Sequence, residues 1–166
     1  MYILFLIILH TALSLVALAT GPSVVADLLG SREREGMTKL FLATALLTSA
    51  TAFLFPFTQL QPSHITAIIA LLVLAVTIPA RYRYGLRGAW RRIYAGGAVA
   101  SLWLLVFVLI AQVFAKIPSL RAAAPTQSEP PFAITQFVAL AVFVLLGIAA
   151  VRRFHPAAAP SAAAAG

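Results

Sequence analysis

The titratable side chain with the most unusual position is His10, which lies inside the first apolar stretch of the chain. At 1.5 Å per residue of helix it lies about 12 Å from the start of that stretch, well inside a bilayer's hydrocarbon. Ser14, Ala17 and Gly21 follow at helical spacing, and small residues let helices approach closely. We therefore expect His10 on a packed helix–helix seam. There it is either a neutral histidine bonded across the seam or a ligand or proton site.

Further polar groups of the apolar regions are predicted to lie toward the same end of the molecule as His10. The predicted pocket consists of His10, Ser14, His64, Gln112, Gln136 and Glu129. Polar groups in lipid need partners, and these could partner one another in a pocket open to the outside. The alternative is ordinary interhelical hydrogen bonding and interfacial placement. Glu129 lies in a proline-rich loop, and this stiff loop either covers the pocket or lets Glu129 pair with Arg121 or Lys116. The alternative is a solvated connector outside the membrane.

A basic loop interleaves cations with aromatic rings. Its predicted lipid head-group anchors are Arg81, Arg83, Arg87, Trp90, Arg91 and Arg92. Such a loop is typical of the basic residues and aromatic belt that flank membrane helices on the cytoplasmic side. A more specific interpretation is recognition of anionic lipid head groups. The loop is too short and too close to apolar stretches for a nucleic-acid platform, so no nucleic-acid partner is expected.

Several kinds of chemistry are missing from the sequence. It has no cysteine, which excludes disulfides, thiolate metal sites and cysteine catalysis. The HExxH, P-loop and GxSxG motifs are also missing. Only four acidic residues are present, which disfavours hydrolysis by paired carboxylates. An enzyme would need a borrowed cofactor, and the sequence predicts neither a cofactor nor a metal site.

The composition is that of an integral membrane protein. Of 166 residues, 62% are hydrophobic and 10% are charged, whereas a soluble domain is about half apolar and about a quarter charged. We predict an all-α bundle of five transmembrane helices in residues 1–154. The predicted spans cover residues 2–29, 37–57, 64–80, 94–114 and 132–151, with a kink or an end of the first at Gly21-Pro22.

The distribution of charge predicts the orientation of this bundle. With five spans, ten of the twelve Lys and Arg residues fall on one side of the membrane. Cytoplasmic loops carry the excess of basic residues, so the N-terminus is predicted outside and the C-terminus inside. The apolar start lacks a positive leader and is interpreted as a retained helix rather than a cleaved signal. Residues 155–166 are predicted to form a flexible Ala/Pro-rich cytoplasmic tail.

Three stretches also resemble a known group of proteins. They are FLFPFTQLQPSH from Phe53 to His64, the basic stretch from Arg81 to Tyr94, and the outer loop APTQSEPPF from Ala124 to Phe132. Together they resemble an uncharacterised group of small bacterial multi-pass inner-membrane proteins. The resemblance implies the bacterial plasma membrane and carries no activity or functional residue with it.

Three functional hypotheses follow from the sequence. The favoured one is a non-enzymatic accessory, partner-binding or sensing protein, which associates with another membrane protein or with copies of itself. The second is b-type haem binding for electron transfer, with His10 and His64 as axial ligands. The third is transport of a small solute or proton through the outer-leaflet polar pocket.

Overall fold

The structure is a computed structural model that describes residues 1–55 and 62–156. Within those residues it is helical throughout, with no strand. The elements are α1 (Tyr2–Leu29), α2 (Glu35–Thr51) with a 3₁₀ turn (Ala52–Leu54), α3 (Pro62–Tyr82), α4 (Ala89–Lys116), the short α5 (Pro118–Ala123) and α6 (Pro130–Arg153).

Five of these helical segments are long and apolar enough to cross a membrane, which confirms the predicted number of spans. The third span, expected to be the shortest, reaches 20 residues, Ser63–Tyr82. That length suffices for the hydrocarbon core, which needs about 20 residues. The predicted end of the second span at residue 57 lies outside the described residues. Before it, α2 tightens into the 3₁₀ turn.

The expectation that α1 could end at Gly21-Pro22 is wrong, because the helix continues through Pro22 to Leu29. Membrane helices tolerate proline when neighbouring helices hold the segment in place. Gly21 permits this close packing, because a Cβ at that position would collide with Leu102 of α4 and lie 3.0 Å from Phe41 of α2. Glycine therefore sets how closely α1 approaches both neighbours.

The helix α4 is the centre of the bundle and packs against α1, α3 and α6. The remaining contacts of α1 with α2 and of α2 with α3 close a four-helix group, and α6 lies outermost against α4 and α1. Small residues form the seams: Ala95 and Ala98 of α4 are fully buried, and a Cβ on Gly97 would collide with Thr77 of α3. Such seams let packing forces hold helices together in lipid.

One end of the bundle is tied together by contacts between its loops. Arg81 pairs with Glu33, and Arg91 donates to the carbonyl oxygen of Phe154. The backbone N–H of His155 donates to Ser31 Oγ at 2.7 Å. These contacts bring together the three segments that carry ten of the twelve basic residues, as the five-span arrangement requires. The predicted tail lies outside the described residues from residue 157 onward.

A buried carboxylate lies at the same end. Asp27 is buried near the end of α1, and its Oδ2 accepts a bond of 2.8 Å from Arg34 Nε. The hydrogen bond and the charge of Asp27 raise the pKa of Arg34. This pair fastens the first loop to the helix that precedes it.

Candidate ligand-binding cavity

A partly enclosed cavity of about 90 Å³ lies between the first four helices. Its lining alternates hydroxyl, imidazole and apolar side chains. They are His10, Ser14, Ala45, Thr48, Ser49, Ala52, Ser63, Thr66, Ala67, Ala70, Leu74, Ser101, Leu104, Leu105 and Val108. A cavity needs about 10–15 Å³ of such volume to hold one water, so this one has room for several waters or one small solute.

The cavity occupies the half of the bundle away from the basic end, the end at which the loop contacts of Arg81, Arg91 and His155 lie. On α3 its lining runs along one helical face from Ser63 to Leu74, a rise of about 16 Å. Beyond Leu74, toward the basic end, fully buried Thr77 and Ala98 fill the space between α3 and α4. Tyr94 is equally buried one turn further along α4. The cavity therefore extends from the level of Ser63, which is exposed, to about half-way through the bundle.

His10 is held in place by the end of α2 and the turn that follows it. Its Nδ1 lies 2.9 Å from Thr51 Oγ1, and its ring meets the Phe55 ring edge-on at a centroid distance of 5.5 Å. The Thr51 hydroxyl also donates to the carbonyl oxygen of Thr48 at 3.0 Å. A hydroxyl has one proton, so Thr51 must accept from His10 Nδ1–H. In the neutral imidazole this bond places the proton on Nδ1 and leaves the lone pair on Nε2.

The serines of the lining use their protons within their own helices. Ser14 donates to the carbonyl oxygen of His10 at 2.7 Å, Ser49 to that of Ala45 at 2.9 Å and Ser101 to that of Gly97 at 2.8 Å. Bonds of this kind are common where hydroxyl side chains lie in apolar helices. Each hydroxyl oxygen can still accept a hydrogen bond from a molecule in the cavity.

Thr48 differs from its neighbours in the lining. It is 7% exposed, and its Oγ1 has no hydrogen-bond partner among the described residues. Thr44, one turn earlier on α2, donates to the carbonyl oxygen of Leu40 at 2.7 Å and does not line the cavity. A buried hydroxyl without a partner costs about 1–3 kcal/mol. Thr48 is therefore the hydroxyl most in need of a partner in the cavity.

Comparisons with known proteins identify no relative of this chain. The chain matches no protein-family model, no curated protein and no solved structure. The resemblance to small bacterial inner-membrane proteins stays a prediction.

The structure brings together only part of the predicted polar pocket. His10 and Ser14 line the cavity, whereas His64, Gln112, Gln136 and Glu129 do not. His64 is buried and lies against the Phe53 ring at a centroid distance of 5.9 Å. Both histidines thus contact the turn after α2, from different helices. Gln112 is exposed on α4, one turn beyond Val108 of the lining.

The other two predicted pocket residues, Gln136 and Glu129, form hydrogen bonds at the contact of α6 with α4 and in the loop before α6. Gln136 Nε2 donates to the carbonyl oxygen of Phe107 at 3.1 Å and so joins α6 to α4. Glu129 accepts from the backbone N–H groups of Thr126 and Ser128, both at 3.1 Å, and from the Thr126 hydroxyl at 2.8 Å. The single shared pocket is not formed because α6 lies on the far side of α4 from the cavity.

The loop carboxylate at residue 129 also differs from its expected role as an ion-pair partner. Desolvation raises the pKa of Glu129, but the hydrogen bonds from Thr126 and Ser128 outweigh it, so its pKa lies below the ordinary value. The carboxylate is used to fix its own turn rather than to pair with Lys116 or Arg121.

Two of the predicted head-group anchors are part of the bundle instead. The Arg81 side chain is 9% exposed, pairs with Glu33 and lies 5.5 Å from the centre of the Tyr94 ring. Arg91 is half-buried and donates to Phe154. Both guanidinium groups therefore contact a neighbouring segment of the bundle, and their role as head-group anchors stays a prediction.

The other four predicted head-group anchors are at least partly exposed, as contact with lipid head groups requires. Arg83, Arg87 and Arg92 are exposed. Trp90 is half-buried and stacks on Tyr84, with ring centres 3.9 Å apart. Three arginines are therefore free of the bundle core and available to head groups.

A haem group does not fit the cavity. Its volume of about 90 Å³ is far below the roughly 300–1,000 Å³ of pockets for drug-sized ligands, and a haem is no smaller than these. His64, the second expected axial ligand, lies outside the lining. Residues 1–55 and 62–156 contain no cluster of three or more His, Asp or Glu able to hold a metal ion.

Sequence reasoning missed most of the hydroxyls of the lining. Ser63 and Thr66 of the lining are three residues apart on α3, and Thr48 of the lining is three residues before Thr51, which holds His10. That spacing puts each pair on one helical face, which is the signal that could have found them. It does not say which face meets a neighbour.

Proposed function

We propose that this protein is a non-enzymatic sensing or accessory protein of the bacterial inner membrane, which binds a small uncharged solute from the outer side. The observation that carries the proposal is the cavity, whose lining contains imidazole and hydroxyl groups at the end opposite the basic loops. Polar groups inside a membrane span are costly, and they mark functional sites by default.

The proposed orientation rests on charge. Ten basic residues lie at the end that is tied together by Arg81, Arg91 and His155. Cytoplasmic segments carry the excess of Lys and Arg, so this end faces the cytoplasm. The N-terminus and the end of the cavity at Ser63 then face outward. Exposed Arg83, Arg87 and Arg92 then lie beside the anionic lipid head groups of the inner leaflet.

The bonding within the cavity supports binding rather than catalysis. A serine nucleophile needs its hydroxyl proton directed at a base. Ser14, Ser49 and Ser101 instead direct theirs at backbone carbonyls. In the part of the chain that the structure describes, no carboxylate lines the cavity to act as an acid or base.

Single-cysteine labelling tests water access and orientation together. The native chain has no cysteine, so Ser14→Cys is the only thiol of its variant. A small membrane-impermeant thiol reagent is applied separately to each face of oriented vesicles. We expect labelling from the outer face only. Leu15→Cys is the matched control, because this neighbour lies at the same depth but is 58% exposed at the lipid-facing surface.

The labelling pattern separates the possible failures. A Ser14→Cys thiol that reacts from neither face means that water does not reach the cavity, and the binding proposal is then abandoned. Reaction from the inner face alone reverses the orientation. Equal reaction of Ser14→Cys and Leu15→Cys means that the reagent enters through the lipid, which removes the cavity as the cause.

Transport is the second candidate function, and the depth of the cavity favours it. The floor near Leu74 and Ser101 lies about half-way along α3 and α4, and transporters place their sites near the bilayer midplane. Flux of a labelled small solute into liposomes, compared between the native protein and His10→Ala, tests it. A binding or sensing protein gives no flux above that of empty liposomes.

A further inference from the structure

We propose that the cavity selects small uncharged solutes that donate several hydrogen bonds and accept one through a carbonyl oxygen, the chemistry of urea and the simplest amides. This selectivity rests on the proposed solute-binding function and goes further by naming the ligand class. It follows from where His10, Thr48 and the three serines Ser14, Ser49 and Ser101 use their protons.

The lining offers more hydrogen-bond acceptors than donors. The protons of Ser14, Ser49 and Ser101 go to carbonyl oxygens of their own helices, and their oxygen lone pairs remain. His10 uses its Nδ1 proton on Thr51, which leaves Nε2 as an acceptor. A ligand rich in N–H or O–H groups satisfies these atoms, whereas a ligand with acceptors alone does not.

The buried hydroxyl of Thr48 is available as a donor. Thr48 Oγ1 is buried, and among the described residues it has no partner that takes its proton. A carbonyl oxygen of the ligand is a suitable acceptor for it. The combination of several acceptors with this donor matches a solute with several N–H groups around one carbonyl.

Charge and volume narrow the class further. Among residues 1–55 and 62–156, none that lines the cavity is an acid, a lysine or an arginine, so an ion there would lose its hydration without a counter-charge. The volume of about 90 Å³ limits the ligand to a few heavy atoms. Acidic, basic and sugar-sized solutes are therefore disfavoured.

Urea and acetone form a matched pair of probes, because they share shape and carbonyl but acetone has methyl groups in place of the two amino groups. Protein labelled with ¹⁵N-histidine in nanodiscs shows only three imidazoles, from His10, His64 and His155. His10→Gln assigns the His10 signals. Urea, kept well below denaturing concentrations, is expected to shift His10 Nε2 saturably and to leave the other two unchanged. Acetone is expected to shift none of them.

Replacement of Thr48 tests the donor. Thr48→Val keeps the shape of the side chain, and we expect it to weaken urea binding about two- to tenfold, the effect of one neutral hydrogen bond. Thr44→Val is the matched control, because Thr44 is as buried as Thr48 but does not line the cavity. It should bind urea as the native protein does.

Each result has a separate meaning. Equal saturable responses to urea and acetone overturn the selectivity while leaving solute binding in place. A His10 signal unmoved by urea, in a protein whose Ser14→Cys variant is labelled from outside, overturns the ligand class but not the water-filled cavity. Equal urea affinities of Thr48→Val and Thr44→Val overturn the role of the Thr48 hydroxyl.

Discussion

Replacing Arg81 with glutamine is expected to destabilise the bundle by about 2 kcal/mol. Removing one member of a fully buried ion pair costs about 3–5 kcal/mol, and an exposed pair contributes at most about 1 kcal/mol. The side chain of Arg81 is 9% exposed and that of Glu33 is 29% exposed, so the pair falls between these limits. The Tyr94 ring beside the guanidinium adds to the loss.

The assay is reversible unfolding in mixed micelles of a mild detergent and dodecyl sulfate, followed by far-ultraviolet circular dichroism. Arg83→Gln is the matched control, because this exposed arginine lies two residues away and should change stability by less than about 0.5 kcal/mol. The double variant with Glu33→Gln should lose about 1–2 kcal/mol less than the sum of the two single losses.

Equal stabilities of the Arg81→Gln and Arg83→Gln variants would refute this reasoning. Both arginines would then act as head-group anchors, as the sequence alone suggests. Strict additivity of Arg81→Gln and Glu33→Gln would show that the two residues do not interact.

Three further predictions concern a helix seam, a loop and the cavity wall. Gly97→Ala should destabilise by about 1–3 kcal/mol, because its Cβ collides with the facing threonine of α3, whereas Gly96→Ala has ordinary space; thermal unfolding compares them. Glu129 has a lowered pKa, so its carboxylate stabilises the loop between α5 and α6 above its ordinary pKa, and this stabilisation is lost as pH falls through the lowered pKa. Hydrogen exchange of the loop amides should show this pH dependence, and Glu129→Gln should remove it. Thr51→Val should lower stability by about 1–2 kcal/mol because two hydrogen bonds are lost, whereas Thr48→Val should not lower it; chemical unfolding decides.

The spans were predictable from the sequence because each depends on a local property. About 20 apolar residues in a row cross a bilayer wherever they occur, and charge at the ends groups the loops. The position of His10 on a packed seam also followed from local spacing, since Ala17 and Gly21 lie on the same face and are buried. None of these inferences needed to know which helices are neighbours.

The cavity and the ion pair were not predictable because they depend on the neighbours of each helix. Thr48 and Thr44 are both buried threonines on α2, and only the packing of α3 makes one of them line a cavity. Arg81 and Arg83 occupy the same basic loop, yet one lies opposite Glu33 and the other is exposed. Gln136 is a polar residue in an apolar span, as a pocket residue would be, but it lies at the contact of α6 with α4 and not at the cavity.

The bond from His155 to Ser31 has a consequence for how the protein is made. It joins residues 124 positions apart, so the end of the last span closes against the first loop. Membrane helices enter the bilayer in the order of synthesis, and α1 must wait for α4 and α6 before its buried face is covered. Assembly is completed only after α6 has been synthesised, and until α4 and α6 follow, only α2 packs against α1, while the face of α1 that meets α4 and α6 is covered by lipid or by the insertion machinery.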